Sequence, residues 1–333
     1  MHFTSKINNI FFIAEVGSNH EGSFEEAKKT VLSACKSNAD VVKLQIFTAN
    51  NLIAQKYDLK RFKHFKKLEL TIKQNLELCK IIKKYKKKCS ASIWDVEQIK
   101  TFNKYIDIYK IGSGDIHNFE IIKKIIQSKK PIIISTGLSN TRDVEETLNF
   151  IKSIDRKYLK TKVALLYCNT AYPTPIQDIR LGTIEYFNNK FNITAGYSDH
   201  TIGEETLIYS YLFGAKIVEK HFSLNPKLKT FRDHQISFNK EDTNTYLKKI
   251  EMLEKISNIK KNNLSKSEIL QDNITSFRRS IYAKANIKKG EILDKDKIIS
   301  LRPYKGKSSK FFFKIVKTKS KKNYKVGDLF KDD

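Results

Sequence analysis

Two histidines and two glutamates stand where this sequence could carry out chemistry. His200 follows the segment NITAGYSD, and the segment AKIVEKHF contains Glu219 and His221 two positions apart. Because alternate residues of a strand share one face, Glu219 and His221 face the same interior, where an unpaired charge is costly. Two imidazoles with carboxylates nearby, Glu15 among them, suit a divalent transition metal, and the carboxylates can transfer protons. The pattern predicts a metal site with acid–base groups beside it.

A second set of side chains is suited to binding an anion. Two lysines and three serines also stand at or near the ends of apolar segments: Lys43, Lys110, Ser92, Ser113 and Ser135. In one interpretation the lysines are salt-bridge partners of Glu15 or Glu219. In the other, which we favour, the cations and hydroxyls together bind a phosphate or a carboxylate. A metal beside such a site could activate water or polarise a carbonyl group, and the residues alone leave both chemistries open.

The elements that must position these residues are short β-rich segments that alternate with helical patterns. Strands are predicted at residues 11–17, 40–47, 88–94, 108–113, 131–136, 163–168, 192–198 and 215–222. Eight strand–helix units in about 260 residues favour an α/β fold of the closed parallel (β/α)8 TIM-barrel type over an open doubly wound sheet. A glycine-rich dinucleotide fingerprint does not follow the first strand. Because barrels carry out chemistry where their strands end, we expect the candidate residues and Asp199 at one rim.

Several helix starts can be read from residues that cap helices. Ser23, with a glutamate three positions later, has the pattern of a capping box. Asp95, Asn118 and Asn140 precede periodic apolar residues and are also predicted to be N-caps. These signals place helices between the predicted strands, as a (β/α)8 barrel requires.

A change of composition divides the chain near residue 270. We predict a barrel domain over residues 1–262, a polar linker over 263–274 and a small β-rich domain over 275–333. The last of these contains two similar turns, KKGEIL at 288–293 and YKVGDL at 324–329, which indicate a near-repeat.

Composition and charge exclude several classes of protein. The 333 residues are 40% hydrophobic without a stretch long enough to cross a membrane, and the N-terminus lacks the features of a signal peptide. The four cysteines lack zinc-type or CxxC spacing, so we expect a cytoplasmic protein with reduced thiols. The net charge of +27 raises the question of nucleic-acid binding, but the lysines are spread along amphipathic segments. We interpret this charge as solvated helix faces that attract small anionic substrates, with no nucleic-acid or membrane partner.

Motifs along most of the chain resemble the sialic acid synthase family. They occur in the order IAEVGSNHEGS, VVKLQ, YKIGSGD, PIIISTG, YPTP, GYSDHTIG and EKHF. The tail RRSIYAKANIKKGEIL, followed by RP, is similar to the SAF (antifreeze-like, β-clip) domain that ends these enzymes. The resemblance covers about residues 10–333 and implies a (β/α)8 barrel, a Mn²⁺ or Mg²⁺ ion and a domain-swapped homodimer.

The resemblance also implies roles for individual residues. His200 and His221 match metal ligands, and Glu219 matches a carboxylate beside the metal. The contacts to phosphoenolpyruvate are matched by Lys43, Lys110, Ser113 and Ser135, with Ser92 where threonine is common. The residues around the sugar are matched by Glu15, Gln45, Tyr172 and Asp233. Arg302, in the RP pair of the tail, matches an arginine that reaches the sugar site of the partner subunit.

The activity that the resemblance implies is the condensation of phosphoenolpyruvate with an N-acetylmannosamine-type aldose. C3 of phosphoenolpyruvate attacks the open-chain aldehyde, water adds at C2, and phosphate leaves by C–O cleavage. Glu15 or Glu219 handles protons, the lysines stabilise phosphate, and the metal acts as Lewis acid and template.

Three departures from the family pattern lie on the sugar side. The segment LIAQKYDLKRFKHFKKLEL is short, Asn169 and Thr170 stand where Thr-Asn or Thr-Ser is common, and RPYKGK lacks a glycine after RP. We expect N-acetylneuraminate synthesis, with legionaminic or pseudaminic acid, made from a diacetamido trideoxyhexose, as the alternative. More distant alternatives are a metal-dependent hydrolase, against which the missing HxH on the first strand argues, and a basic polyanion-binding protein.

Overall fold

Eight parallel strands form a closed barrel in sequence order, and the last strand pairs with the first. The strands are β1 (Phe11–Val16), β2 (Val41–Ile46), β3 (Lys88–Ile93), β4 (Ile108–Ile111), β5 (Ile132–Ser135), β6 (Val163–Cys168), β7 (Ala195–Asp199) and β8 (Ile217–His221). The computed structural model describes residues 10–257 and 263–331. It divides into two units, Met1–Ser257 and Asn258–Asp333, and the barrel belongs to the first. The predicted (β/α)8 barrel is confirmed.

Helices follow the strands, and most of them pack on the outside of the barrel. They are α1 (Phe24–Cys35), α2 (Ala49–Leu52), α3 (Leu59–Leu68), α4 (Ile72–Lys84), α5 (Gln98–Phe102), α6 (Phe119–Gln127), α7 (Thr141–Ile154), α8 (Arg156–Lys162), α9 (Gly182–Phe191), α10 (Glu205–Leu212) and α11 (Lys240–Ile256). The exceptions are α2 and α3, which carry residues that line a cavity. The apolar sides of the other helices and the outward strand residues form one large buried cluster. This layer holds the strands in place from outside.

Most of the predicted helix caps are present. The side chains of Ser23, Asn118 and Asn140 accept backbone N–H groups from the first turns of α1, α6 and α7. Such a cap stabilises a helix by about 1 kcal/mol. The prediction for Asp95 is wrong, because α5 begins at Gln98 and the Asp95 carboxylate accepts a hydrogen bond inside the preceding loop.

The inward residues of the strands change from apolar to polar along the barrel axis. Phe11 and Ile13 of β1 join Ile217 of β8 in an apolar cluster inside the barrel. The next inward positions on the same strands are Glu15 and Glu219, which line a cavity. Because side chains alternate along a strand, the start of each strand fills the barrel and its end carries chemistry.

A buried ion pair joins the ends of β7 and β8 on the outer side of the barrel. Lys220 is 1% exposed, and its Nζ donates to Asp199 Oδ2 at 2.6 Å and to the Thr201 carbonyl at 2.7 Å. It also lies over the Phe238 ring. The expectation that Asp199 faces the catalytic rim is therefore wrong: its neighbour Ser198 takes the inward position, and strand alternation turns Asp199 outward.

The second unit contains a small antiparallel sheet. Its elements are α12 (Lys266–Leu270), α13 (Asn273–Phe277), β9 (Ser280–Ala283), β10 (Ile298–Leu301) and α14 (Phe312–Ile315). β9 pairs with β10, and isolated bridges tie further segments to it. The predicted linker at 263–274 contains α12 and the start of α13. A small C-terminal β unit is therefore present.

The two similar turns of this unit share a backbone conformation. Gly290 in KKGEIL and Gly327 in YKVGDL both have a φ of +88°. Each glycine is followed closely by a carboxylate, of Glu291 or Asp328, that accepts the backbone N–H three residues earlier. The near-repeat read from the sequence is thus a repeated turn, in which glycine relieves the left-handed strain.

Two predictions made from composition, reduced cysteines and the lack of a membrane span, can be checked in the structure. All four cysteines are buried free thiols, as expected. Within residues 10–257 and 263–331, a helix with the length and apolar character to span a bilayer does not occur.

Candidate active site

Nearly all the candidate residues of the barrel unit line one cavity at the carboxyl ends of the strands. The cavity has a volume of about 580 Å³. The candidates that line it are Glu15, Lys43, Gln45, Ser92, Lys110, Ser113, Ser135, Thr170, Tyr172, His200, Glu219 and His221. Asp233 lies beside His221, with its Oδ2 3.7 Å from Nδ1 of the imidazole. Arg302 belongs to the second unit, where its guanidinium lies 5.1 Å from the centre of the Phe277 ring.

Two lysines and two glutamates form a buried charge network at the base of this cavity. Lys43 Nζ lies 2.7 Å from Glu15 Oε1 and 2.8 Å from Glu219 Oε1. Lys110 Nζ lies 3.1 Å from Glu219 Oε1 and donates to Ser135 Oγ at 2.6 Å. The salt-bridge interpretation of these lysines therefore describes the structure as it stands. Because both cations also border the cavity, they remain within reach of a bound anion.

The network shifts the ionisation of its members. Burial alone raises the pKa of Glu15, but Lys43, His221 and Lys110 outweigh it and hold that pKa well below its usual value. Burial lowers the pKa of Lys43, yet the two carboxylates outweigh it and leave the pKa raised. For Lys110, burial and the charge of Lys43 prevail over Glu219, so its pKa is lowered. Glu15 and Lys43 are therefore held as an ion pair at neutral pH.

The two histidines are adjacent and open toward the cavity. Their ring centres are 5.4 Å apart. His200 Nδ1–H donates to the Asn169 carbonyl at 2.6 Å, which leaves Nε2 with a free lone pair. His221 Nε2 lies 3.5 Å from Glu15 Oε2, and its buried Nδ1 makes no hydrogen bond to any described residue. A backbone carbonyl that fixes one tautomer and an unsatisfied imidazole nitrogen fit the ligation of a divalent ion.

Aromatic stacking holds one side of the histidine pair. The Tyr172 ring stacks on His200 with centres 4.1 Å apart and meets His221 edge-on at 6.0 Å. The Arg232 guanidinium also lies over the Tyr172 ring, 4.5 Å from its centre. Burial raises the pKa of Tyr172, so its hydroxyl stays protonated. Tyr172 can therefore orient His200 and donate a hydrogen bond to a substrate.

The serines and a glycine shape the end of the cavity near Lys110. Ser113 Oγ accepts the backbone N–H of Gly137 at 3.0 Å. A β-carbon at Gly137 would lie 2.7 Å from both Ser113 Oγ and Thr170 Cγ2, so only glycine fits there without a shift. The close approach brings the loops after β4 and β5 together around Ser135 and Lys110. We call this end of the cavity, with Lys43 and Ser92, the anion site.

Sequence reasoning missed the apolar residues of the cavity. Its lining includes Phe47, Leu52, Ile53, Phe65 and Trp94. Phe65 lies on α3 and packs edge-on against Phe47, which also contacts Trp94. In the sequence such residues look like ordinary core positions, so the only usable signal was the unusual composition of the segment at 52–70. Ser198, which donates to Glu219 Oε1 at 3.2 Å, was also missed, because the inward position on β7 was assigned to its neighbour Asp199.

Comparison with known proteins places this site in a family. The model of the NeuB family matches residues 30–262. The chain is 34% identical over 333 residues to the N,N'-diacetyllegionaminic acid synthase of Campylobacter jejuni, with 96% of this chain and 98% of that relative covered. The chain belongs to the NeuB family. The sialic acid synthase-like motifs are therefore those of a family member.

Other NeuB-related proteins differ in the sugar acid that they make. The chain is 29% identical over 336 residues to the pseudaminic acid synthase of Campylobacter jejuni, with 97% of this chain and 96% of that protein covered. A crystal structure of the sialic acid synthetase of Leptospira borgpetersenii has a TM-score of 0.72 at 25% identity, over 82% of this chain and 95% of that one. These relatives are synthases of nonulosonic acids, so this NeuB protein is an enzyme of that family.

Proposed function

We propose that the protein condenses phosphoenolpyruvate with a diacetamido trideoxyhexose to form a legionaminic-type acid, and releases phosphate. The observation that supports the chemistry is the buried group of Lys43, Lys110, Glu15, Glu219 and the histidine pair in one cavity. The relative that makes N,N'-diacetyllegionaminic acid is similar over nearly the whole chain, which favours this acid over the N-acetylneuraminate expected first. N-Acetylneuraminate synthesis is the second candidate, supported by the likeness to a sialic acid synthetase.

The apolar part of the cavity supports the choice of sugar. A diacetamido trideoxyhexose carries one C-methyl and two acetamido methyl groups, whereas N-acetylmannosamine carries one acetamido methyl and more hydroxyls. Leu52, Ile53 and Phe65 give the former sugar apolar surface to contact. Burial of one methyl-sized group contributes about 0.8 kcal/mol, so two further methyls can change affinity about tenfold or more.

The anion site binds phosphoenolpyruvate in this proposal. The phosphate and carboxylate of phosphoenolpyruvate replace part of the carboxylate charge around Lys43 and Lys110. The hydroxyls of Ser92, Ser113 and Ser135 donate hydrogen bonds to them. C3 then faces the aldehyde carbon of the sugar and the C–C bond forms, while the aldehyde oxygen takes a proton from solvent water. The positive charge that develops at C2 lies close to the glutamates, which stabilise it.

Glu219 is the group we assign to the proton transfer that follows. Its Oε1 is engaged by Lys43 and Lys110, but its Oε2 is buried and makes no hydrogen bond within the described part of the chain. That oxygen can accept the proton of the water that adds at C2. The C–O bond to phosphate then breaks as the C2 hydroxyl loses its proton and becomes the ketone, and phosphate leaves toward the lysines with the bridging oxygen and that proton. Glu15, with its lowered pKa, remains ionised and keeps Lys43 in place.

A divalent ion, Mn²⁺ or Mg²⁺, belongs to this proposal. His200 and His221 would hold it, with Glu15 and Asp233 close to the second imidazole. When bound it would supply Lewis-acid stabilisation of an oxygen of the substrate. His200 also positions the Tyr172 ring in the cavity through their stacking contact.

The proposed substrate is tested by comparing two aldoses with the same enzyme. Phosphate release from phosphoenolpyruvate is measured with Mn²⁺ and either 2,4-diacetamido-2,4,6-trideoxymannose or N-acetylmannosamine. We expect kcat/KM to be at least about tenfold higher for the diacetamido sugar, because of its additional apolar groups. A preference for N-acetylmannosamine would shift the assignment to N-acetylneuraminate. Absence of turnover with both, and with the pseudaminic-type isomer, would contradict the proposed reaction.

A homodimer with exchanged tails is also part of the proposal, and Arg302 tests it. In this arrangement Arg302 of one subunit contacts the sugar of the other. Arg302→Ala is then expected to raise KM for the aldose about tenfold or more, as for loss of a charged hydrogen bond, with little change in KM for phosphoenolpyruvate. Steady-state kinetics with each substrate varied separately make the measurement. An equal loss for both substrates would refute this role.

A further inference from the structure

Leu138 has an unusual combination of exposure and backbone conformation. It lies in the loop between β5 and α7 and lines the catalytic cavity. Its relative exposure is 79%, among the highest of the large apolar residues described. Its φ is +57°, in the left-handed region that β-carbons disfavour. The left-handed conformation of a leucine carries a strain cost, and such strained residues cluster at functional sites. The exposure of a single leucine is ordinary by itself, but here it leaves the side chain available at the cavity.

The other left-handed residues have an ordinary explanation. Among the described non-glycine residues with positive φ, the rest directly follow a helix or helical turn, or the residue that caps it: Glu21, Lys86, Lys129, Asn192, Asp272 and Lys317. A left-handed residue at a helix end satisfies carbonyl groups of the last turn. Leu138 instead follows a strand, two positions before the N-cap Asn140. Its conformation serves no helix end.

The loop is held so that Leu138 lies at the anion site. Gly137 is pressed against Ser113 and Thr170, where a β-carbon would lie 2.7 Å from each. Its N–H is bonded to Ser113 Oγ, and two residues earlier Ser135 is bonded to Lys110. The left-handed turn directly after this clamp directs Leu138 to the border of the cavity.

Leu138 also has space in which to move. A neighbouring cavity of about 540 Å³ lies between the start of α7 and the loop after β6, and Leu138 lines it as well. The two cavities share Cys168 and Thr170 in addition to Leu138. The leucine therefore borders both cavities, with open space on either side of its side chain.

We propose that Leu138 is a substrate-contacting residue that closes over phosphoenolpyruvate bound at the anion site. The inference rests on the proposed function, since it takes the ligand from it. On binding, the side chain covers the apolar C3 methylene and excludes water from the contacts between phosphate and Lys110. Exclusion of water strengthens those contacts, because the local dielectric falls. The strained turn holds the leucine at the border of the cavity, where its side chain is exposed in the absence of substrate.

Two substitutions separate the apolar contact from the backbone conformation. Asparagine tolerates the left-handed conformation, so Leu138→Asn keeps the turn and removes the apolar cover. We expect the Kd of phosphoenolpyruvate, measured by calorimetry without aldose, to rise about tenfold or more, as for loss of a buried leucine contact. KM for phosphoenolpyruvate should rise by a similar factor, with KM for the aldose nearly unchanged. Leu138→Met retains an apolar side chain and is expected to stay within about threefold of the parent protein.

Lys86→Asn provides the matched control. Lys86 is exposed, has a φ of +58° and follows α4 in the first unit, and it does not line the catalytic cavity. Both asparagine variants should keep or raise the melting temperature, but only Leu138→Asn should weaken phosphoenolpyruvate binding. An unchanged Kd in Leu138→Asn would overturn the role of Leu138 while leaving the proposed reaction intact. If the parent protein binds phosphoenolpyruvate but turns over no aldose, the reaction fails and Leu138 is still tested by the Kd. Failure of the parent protein to bind phosphoenolpyruvate would overturn both.

Discussion

His221→Ala is expected to lower turnover by about a thousandfold and to abolish tight Mn²⁺ binding, with the fold retained. The Nδ1 of this buried imidazole lacks a hydrogen bond to any described residue, and its Nε2 faces Glu15 at 3.5 Å, so its removal breaks no structural hydrogen bond. Loss of a ligand that supports several kcal/mol of transition-state stabilisation accounts for the size of the effect. Mn²⁺ binding by electron paramagnetic resonance and phosphate release are measured on the same sample, and circular dichroism reports the fold.

His117→Ala is the matched control for this experiment. His117 Nε2 lies 3.8 Å from Asp143 Oδ1 and 3.9 Å from Glu146 Oε2 in an exposed group that has the composition of a weak cation site. Its removal should leave turnover and tight Mn²⁺ binding unchanged. Near-normal turnover of His221→Ala, or a loss of tight binding in His117→Ala, would show that the assignment of the metal to the His200–His221 pair is wrong.

Lys43→Met is expected to lower both activity and stability. Turnover should fall at least about a hundredfold, as for loss of one preorganised electrostatic contact. Because Glu15 and Glu219 lose the cation between them, the free energy of unfolding should fall by about 3–5 kcal/mol at neutral pH. Chemical denaturation and phosphate release provide the two measurements.

The pH dependence of this variant identifies the cause. In the parent protein the pKa of Glu15 is depressed, so its pair with Lys43 stabilises the fold above about pH 4.3, the unfolded value, and the effect is lost as pH falls through the folded pKa. Without Lys43, burial should raise that pKa. The stability difference between the proteins should then be largest near neutral pH and shrink toward acid.

An exposed lysine supplies the comparison for Lys43→Met. Lys124 lies on the outer side of α6, and Lys124→Met should change stability by no more than about 0.5 kcal/mol. A Lys43→Met protein with parent-like stability at every pH would mean that the ion pairs do not hold the base of the cavity together. Parent-like turnover would contradict the assignment of Lys43 to the anion site.

The fold could be predicted because a barrel repeats one pattern. Each strand is a short apolar segment, and the last inward residue of most strands is polar, as with Gln45, Lys110 and Ser135. Since parallel strands end at the same rim, the polar ends fix both the fold and the place of the site. The convergence of His200 and His221 follows from the same rule, because they come from neighbouring strands.

Features that depend on the register or on loop geometry could not be predicted. Asp199 was expected at the rim, but one position along a strand exchanges the two faces, and it pairs instead with Lys220 outside. Asp95 does not cap a helix, because its carboxylate accepts the backbone N–H of Glu97 in a local turn. The apolar residues of the cavity, such as Phe65 and Leu138, have no chemical signature in the sequence and are recognised only from where the loops carry them.

The central claim is tested most directly with phosphoenolpyruvate that carries ¹⁸O in its bridging oxygen. The protein is incubated with this substrate, Mn²⁺ and the diacetamido trideoxyhexose, and the phosphate is analysed by mass spectrometry. We predict that phosphate is released only when the aldose is present and that it contains the label, because the C–O bond breaks. Release of unlabelled phosphate, with the ¹⁸O retained in the organic product, would contradict the mechanism. Absence of phosphate release with each candidate aldose would contradict the proposed function.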